Sequence, residues 1–235
     1  MENKIITKNH ISHRLLRVNL LMLLAISIIM TIIATFMYPP LLTMPHFYSY
    51  ILKLGLMLFL HTGIVILGTR HYFDLSALKT ATFFGIIVSL VEIVHILIED
   101  FGHMDGHTES VSTGIFMVGE FLLFGVAGFF ITLRKGSIIP GMLAGSWSSV
   151  VCMLIVMTFG LSQLFWSFGA MEKHNIGNPD FIRTGWTDLH AFTIADIFEA
   201  CFKILFVGPI VGLIFGLLGA GMARFVSFIV KKVQA

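Results

Sequence analysis

Six long apolar runs divide this chain, at about 19–37, 50–68, 80–98, 114–133, 139–168 and 205–228. Each is close to or longer than the ~20 residues an α-helix needs to cross the hydrocarbon core. Turn-forming residues separate them. Tyr38-Pro39-Pro40 closes the first run, because proline cannot continue a helical ladder. Asn178-Pro179-Asp180 marks a turn in the link 169–187. The predicted fold class is all-α, a polytopic membrane bundle of about six transmembrane helices in one domain, 1–235. One stretch does not fit the simple pattern. Residues 187–203 read as a polar half-helix, broken from or interfacial to the last span. The run from 188 to 230 is too long for one straight crossing at ~1.5 Å per residue. Gly208-Pro209 supplies a kink point.

Composition agrees with the pattern. The chain is 57% hydrophobic and 12% charged, with a mean hydropathy of +0.92. Soluble domains carry about 25% charged residues, so this is an integral protein of the lipid bilayer. Cys152 and Cys201 both sit in apolar runs, so neither a disulfide framework nor a CxxC motif is available. No cleavage-site pattern follows the first run, which therefore reads as a retained helix.

The net charge of +2 says little, but its placement says more. Residues 1–18 form a basic lead-in with Lys4, Lys8, Arg14 and Arg17. Arg70, Lys79, Arg134, Lys135, Arg224, Lys231 and Lys232 fall in alternate links and at the C-terminal end. By the positive-inside rule this predicts six crossings with both termini cytoplasmic, in a plasma or inner membrane. A seventh crossing would reverse Lys231 and Lys232. That argues against Lys203 as a Schiff-base lysine in a seventh helix. The basic residues form a rim and not a nucleic-acid patch.

The candidate chemistry lies in acids and histidines at membrane depth, which a chain keeps only when they face a cavity, a partner or an ion. Glu92, His95 and Glu99 fall within a ~60° arc of one helix. Glu120 lies inside the fourth run. Asp196, Glu199 and Lys203 form one helical stripe at i, i+3 and i+7. Asp188 and His190 stand at its mouth. The predicted topology puts all of these in the outer half of the membrane. Lys203 is the one obvious cation there, and an excess of acids calls for protons or a bound cation.

Carboxylates with imidazoles suit zinc or a transition metal. Glu92-x-x-His95 is the element that di-iron carboxylate bundles use twice, and here it occurs once. The expected ligands are Glu92, His95, Glu120, Asp196 and Glu199, with His190 beside them. His61, Glu99, Asp100, His103, His107, Asp188 and Lys203 are expected around them or at the entry. Haem between His61, His95 and His190 fits less well, since carboxylates favour a harder metal. This yields a metal-dependent membrane oxidoreductase or hydrolase acting on a lipid-like or small apolar substrate. Two alternatives stand beside it. One is a proton- or cation-coupled transporter using the same acids. The other is a non-catalytic subunit of a membrane complex. The first, fourth and sixth runs are almost free of polar side chains in their cytoplasmic halves, which weighs against a transport path. Ion pairing alone, as between Glu199 and Lys203, would also account for several of these charges. Lys53 reads as a snorkelling lysine. Gly208, Gly212 and Gly216 give a small-residue face for close helix packing, within the bundle or against a second copy or complex partner. No phosphate loop, GxSxG, HExxH or desaturase-type histidine box is present.

Overall fold

The computed structural model describes residues 2–44, 46–72, 75–102 and 106–234, with side chains from residue 13 onward except at 71, 72, 107 and 109. Among these residues the chain is almost wholly helical and holds no strand. The elements are α1 (Glu2–Met37), α2 (Phe47–Leu67), α3 (Leu75–Phe101), α4 (Gly106–Lys135), α5 (Ile138–Trp166), α6 (Phe168–His174), α7 (Pro179–Arg183) and α8 (Leu189–Gln234). A 3-10 turn at Pro39–Thr43 joins α1 to α2, as Pro39-Pro40 requires. A π turn at Gly68–Tyr72 follows α2. Among the described residues six helices are long and apolar enough to cross a membrane: those containing His13–Met37, Phe47–Arg70, Leu75–Phe101, Ser110–Lys135, Ile138–Trp166 and Leu189–Gln234. Their outer faces carry Ile29, Phe59, Leu90, Val118 and Leu218, all exposed. Water would not tolerate so continuous an apolar surface, and lipid does.

The core forms around α5, the most buried of the spans. It packs against α8, α3, α4 and α1, while α2 lies outside against α8 and α1. Trp147, Val151, Leu154, Met157 and Leu161 of α5 meet Leu24, Leu54 and Phe198 in one apolar cluster. Val88, Phe124, Cys152 and Val156 form a second, between α3, α4 and α5.

Glycines set the spacing on the α4–α5–α8 side. A Cβ on Gly145 would lie 2.5 Å from the Gly212 carbonyl oxygen and 2.5 Å from the Gly216 Cα. One on Gly216 would meet the Met142 oxygen at 2.8 Å. Added at Gly219 it would run into the backbone of Gly125, and at Gly128 into that of Gly216. The backbones of α4, α5 and α8 therefore touch directly. This corrects one expectation: the Gly208/Gly212/Gly216 face is covered by α5 and α4 of the same chain, and all three glycines are buried. It is not a surface for a second copy.

The last helix brings another correction. Residues 189–203 are not a separate half-helix. They are the first turns of α8, which runs unbroken for 46 residues with Pro209 inside it. At ~1.5 Å per residue α8 is about 69 Å long, more than twice the ~30 Å hydrocarbon core. Its polar first turns therefore extend past the apolar span without a break in the backbone.

The antiparallel helices give the bundle a basic end and an acidic end. At the basic end three arginines tie the links. The Arg17 guanidinium donates to the Thr69 hydroxyl at 2.7 Å and to its carbonyl at 3.2 Å. Arg134 donates to Ser76 at 3.3 Å. Arg224 donates to the Gly136 carbonyl at 2.8 Å. Lys4, Lys8 and Asp74 have side chains outside the described residues.

Backbone contact at the glycines predicts an asymmetric response to alanine. Gly145→Ala and Gly219→Ala should each destabilise the fold by about 1–3 kcal/mol through overpacking. Gly114→Ala and Gly160→Ala, where nothing lies within 4 Å of the new carbon, should be neutral or stabilising by up to ~1 kcal/mol. Thermal unfolding of the four variants in detergent measures the difference. Equal losses at all four positions would contradict the glycine contacts.

Candidate functional site

Four of the expected residues meet between α3 and α4. Glu92, His95 and Glu99 share one face of α3 because three and seven positions nearly complete one and two turns. His95 Nδ1 lies 3.2 Å from Glu92 Oε2, and its Nε2 lies 3.0 Å from Glu99 Oε1. The second approach falls outside hydrogen-bond geometry, leaving Nε2 without a directed partner. The His95 ring is buried and stacks on Phe116 of α4 at 4.6 Å and 17°. From α4, the Glu120 carboxyl comes within side-chain reach of Glu92. Glu120 is only 5% exposed, and its Oε1 has no partner. At the other edge, Thr113 donates to Glu99 Oε1 at 2.7 Å.

The groups therefore form a line. It starts at Thr113 and Glu99 near the acidic end, passes through His95 and Glu92, and stops at Glu120 in the bundle. Beyond Glu120, α5 carries the polar atoms. The buried Cys152 thiol lies within electrostatic reach of both Glu120 and Glu92. One turn further, Ser149 is fully buried and its hydroxyl has no partner. Ser146 donates to the Pro209 carbonyl at 3.2 Å.

Asp196 and Glu199 lie elsewhere. The Asp196 carboxyl lies beside Asn175, and its charged neighbours are Lys203, Glu199 and Asp180. Asn175 also donates to Thr193 at 3.4 Å and accepts from Asn178 at 2.9 Å. Glu199 pairs with Lys203 at 3.1 Å. Lys53 lies over the rings of Tyr50 and Phe202, at 5.7 and 5.8 Å. The α8 stripe is thus satisfied by its own helix and by the α6–α7 turn. The structure divides the expected shell into two clusters. Among the described residues, no group of three or more His, Cys, Asp and Glu side chains is arranged to hold a metal ion. The donors around His95 are engaged with one another.

His190 belongs to a third grouping. It sits between Tyr38 and Phe168, with centroids at 4.3 and 4.1 Å, and its Nδ1 is 3.4 Å from Glu172 Oε1. Asp188 caps α8, accepting from the Ala191 backbone N–H at 3.1 Å and from the Tyr38 hydroxyl at 2.7 Å. That hydrogen bond, with burial and the neighbouring acids, raises the Tyr38 pKa. Burial pushes the Asp188 carboxyl up, but the Tyr38 hydroxyl, the backbone N–H groups of Ala191 and His190, and the nearby imidazole outweigh it and hold the pKa low.

The remaining expected residues are scattered. His61 is buried in α2 with Nδ1 2.9 Å from the Met57 carbonyl, so the three histidines considered for haem occupy three separate environments. Asp100 accepts a short hydrogen bond from Gln163 of α5. His103, and the side chain of His107, lie outside the described residues. Sequence reading missed Thr113, Phe116, Gln163, Tyr38, Glu172 and Asn175 as partners. Only Tyr38, next to Pro39-Pro40 and so fixed at a helix end, carried a local signal. Comparison with family models, curated proteins and solved structures finds no match for this chain.

Two outcomes follow from this geometry. His95→Ala removes the group between two carboxylates and should cost about 1–3 kcal/mol. Glu120→Gln keeps the shape and a hydrogen-bonding group beside Glu92 and should change stability by less than ~1 kcal/mol. Thermal unfolding in detergent distinguishes them, and a Glu120→Gln loss as large as that of His95→Ala would show that the fold needs the Glu120 carboxyl itself.

Asp188 supplies a pH test. Its pKa is depressed in the fold, so its contribution is complete above the unfolded value and is lost as pH falls through the folded one. Asn also caps helices but does not titrate. The stability difference between the parent and Asp188→Asn should therefore shrink as pH is lowered from neutral through the carboxylate range. A constant difference in unfolding temperature would count against the Tyr38–Asp188 contact.

Proposed function

We propose that the protein is a proton-coupled membrane transporter in which Glu92 and Glu120 take up and release a proton through His95 and Glu99. The observation that carries this reading is the row of titratable groups from Glu99, which accepts from Thr113, past His95 and Glu92 to the buried Glu120. Neighbouring carboxyl and imidazole groups pass protons when each can both accept and donate. Three carboxyls facing one imidazole stay near neutrality only by binding a proton or another cation.

Two further features support transport. The Glu120 Oε1 atom is buried without a partner, and so is the Ser149 hydroxyl, one turn of α5 nearer the basic end than Cys152. Buried polar atoms of this kind call for water or an ion that comes and goes. Pro209 in α8, beside Ser146, lacks the backbone N–H that would bond the Leu205 carbonyl, and a proline there is a natural kink site. Alternating access needs such an element. The acidic end is taken to face outward, in line with the placement of the basic residues.

The test needs no knowledge of the transported substrate. Proteoliposomes adsorbed on a solid-supported membrane are given pH jumps, and the charge displaced is recorded. The parent should give a transient current. Glu92→Gln and Glu120→Gln should each reduce it at least tenfold, because an amide cannot exchange the proton. Transients unchanged in both variants would remove the carboxyl pair from the function. Elemental analysis of the same preparations keeps the metal-dependent enzyme in view. Bound zinc or a transition metal, lost on His95→Ala and on Glu92→Ala, would favour that reading instead.

A further inference from the structure

At the acidic end, apart from the carboxyl line, a cavity of about 230 Å³ opens between the ends of α1 and α5 and the start of α8. Ala34, Leu164 and Ile194 form its apolar part. Tyr38, Phe168 and His190 form its rim. Each apolar residue lies four positions further into the bundle than the ring on the same segment. Tyr38 and His190 stand at the very ends of the apolar spans His13–Met37 and Leu189–Gln234. The cavity therefore runs from a polar mouth to a hydrocarbon-like floor at the edge of the bilayer. That polarity gradient matches an amphiphile lying along the membrane normal.

The rim defines the head group. The Tyr38 hydroxyl is already donated to Asp188. His190 Nδ1 faces Glu172, so the tautomer that donates there leaves Nε2 with a lone pair. The His190 side chain is 41% exposed and within reach of a ligand. Two carboxylates, Asp188 and Glu172, flank the mouth and repel an anionic head. A neutral group that can donate a hydrogen bond, a hydroxyl, satisfies Nε2. The volume is small beside typical ligand pockets of ~300–1,000 Å³, so it takes a head and its first carbons while the rest of the chain stays in lipid. We infer that this cavity binds the hydroxyl end of a long-chain alcohol. The inference rests on Tyr38, His190 and the cavity, and is independent of the proton-coupled reading.

The full chain in nanodiscs is irradiated with hexadecanol carrying a diazirine beside the hydroxyl-bearing carbon, and labelled peptides are identified by mass spectrometry. Labelling should fall on 34–38 or 164–168 and be displaced by unlabelled hexadecanol, with hexadecanoate and hexadecane much weaker. His190→Phe keeps the ring stack and removes the acceptor, so it should lower labelling about five- to tenfold, the size of one hydrogen bond. Leu164→Trp fills the floor and should do the same. If Leu164→Trp does not fold, His190→Phe decides alone. Labelling unchanged by His190→Phe, undisplaced by hexadecanol or displaced as well by hexadecane overturns the site. Stronger displacement by hexadecanoate overturns the neutral head.

Discussion

Backbone against backbone at the junction of α4, α5 and α8 is the contact on which the rest of this bundle depends. Helices in lipid gain little from the hydrophobic effect between them, because lipid tails are as apolar as leucine. They associate through close packing, and close packing is best where no side chain intervenes. Gly125, Gly128, Gly145, Gly212, Gly216 and Gly219 remove the side chains where the three helices meet. The contact fixes the rotation of each helix as well as its distance. With its glycines turned toward α8, α4 presents Glu120 to α3 and Glu92. The carboxyl pair is a consequence of where the glycines are.

The polar groups then sort by what each can reach. Around His95 the carboxyls of Glu92 and Glu99 approach one imidazole, and Glu120 approaches Glu92. On α8 the acids have a lysine, an asparagine and the α6–α7 turn within reach. The first arrangement leaves His95 Nε2 and Glu120 Oε1 without a partner. The second is a set of ties holding the acidic end of α8 to the segment before it. The same residue types thus stand in two different settings.

The spans were legible in the sequence because length and apolarity alone define them, and the Glu92–His95–Glu99 face was legible because helical geometry places it. Glu120 was reached by depth: α4 returns antiparallel to α3, and the two acids fall at one level. Asp196 and Glu199 share that general half of the membrane but do not join, and the reason is rotation. At 100° per residue, Gly212 lies about 160° round the helix from Asp196. A glycine face turned to α5 therefore points the acid stripe away from α3 and α4. Both patterns were visible in the chain, and the second fixes the direction of the first. The continuity of α8 was hidden by Gly208-Pro209, which reads as a break. Packing against α5 on both sides of the proline holds the helix together there.

The length of α8 ties the two ends of the molecule together. Pro209 divides it into arms of roughly 30 and 37 Å at ~1.5 Å per residue. One arm ends beside Tyr38 and Phe168, the other at Lys231 and Lys232. Both arms belong to one continuous helix, and Ser146 of the central helix binds the Pro209 carbonyl between them. The ring cluster at one end of the bundle and the lysines at the other are thereby carried on a single backbone.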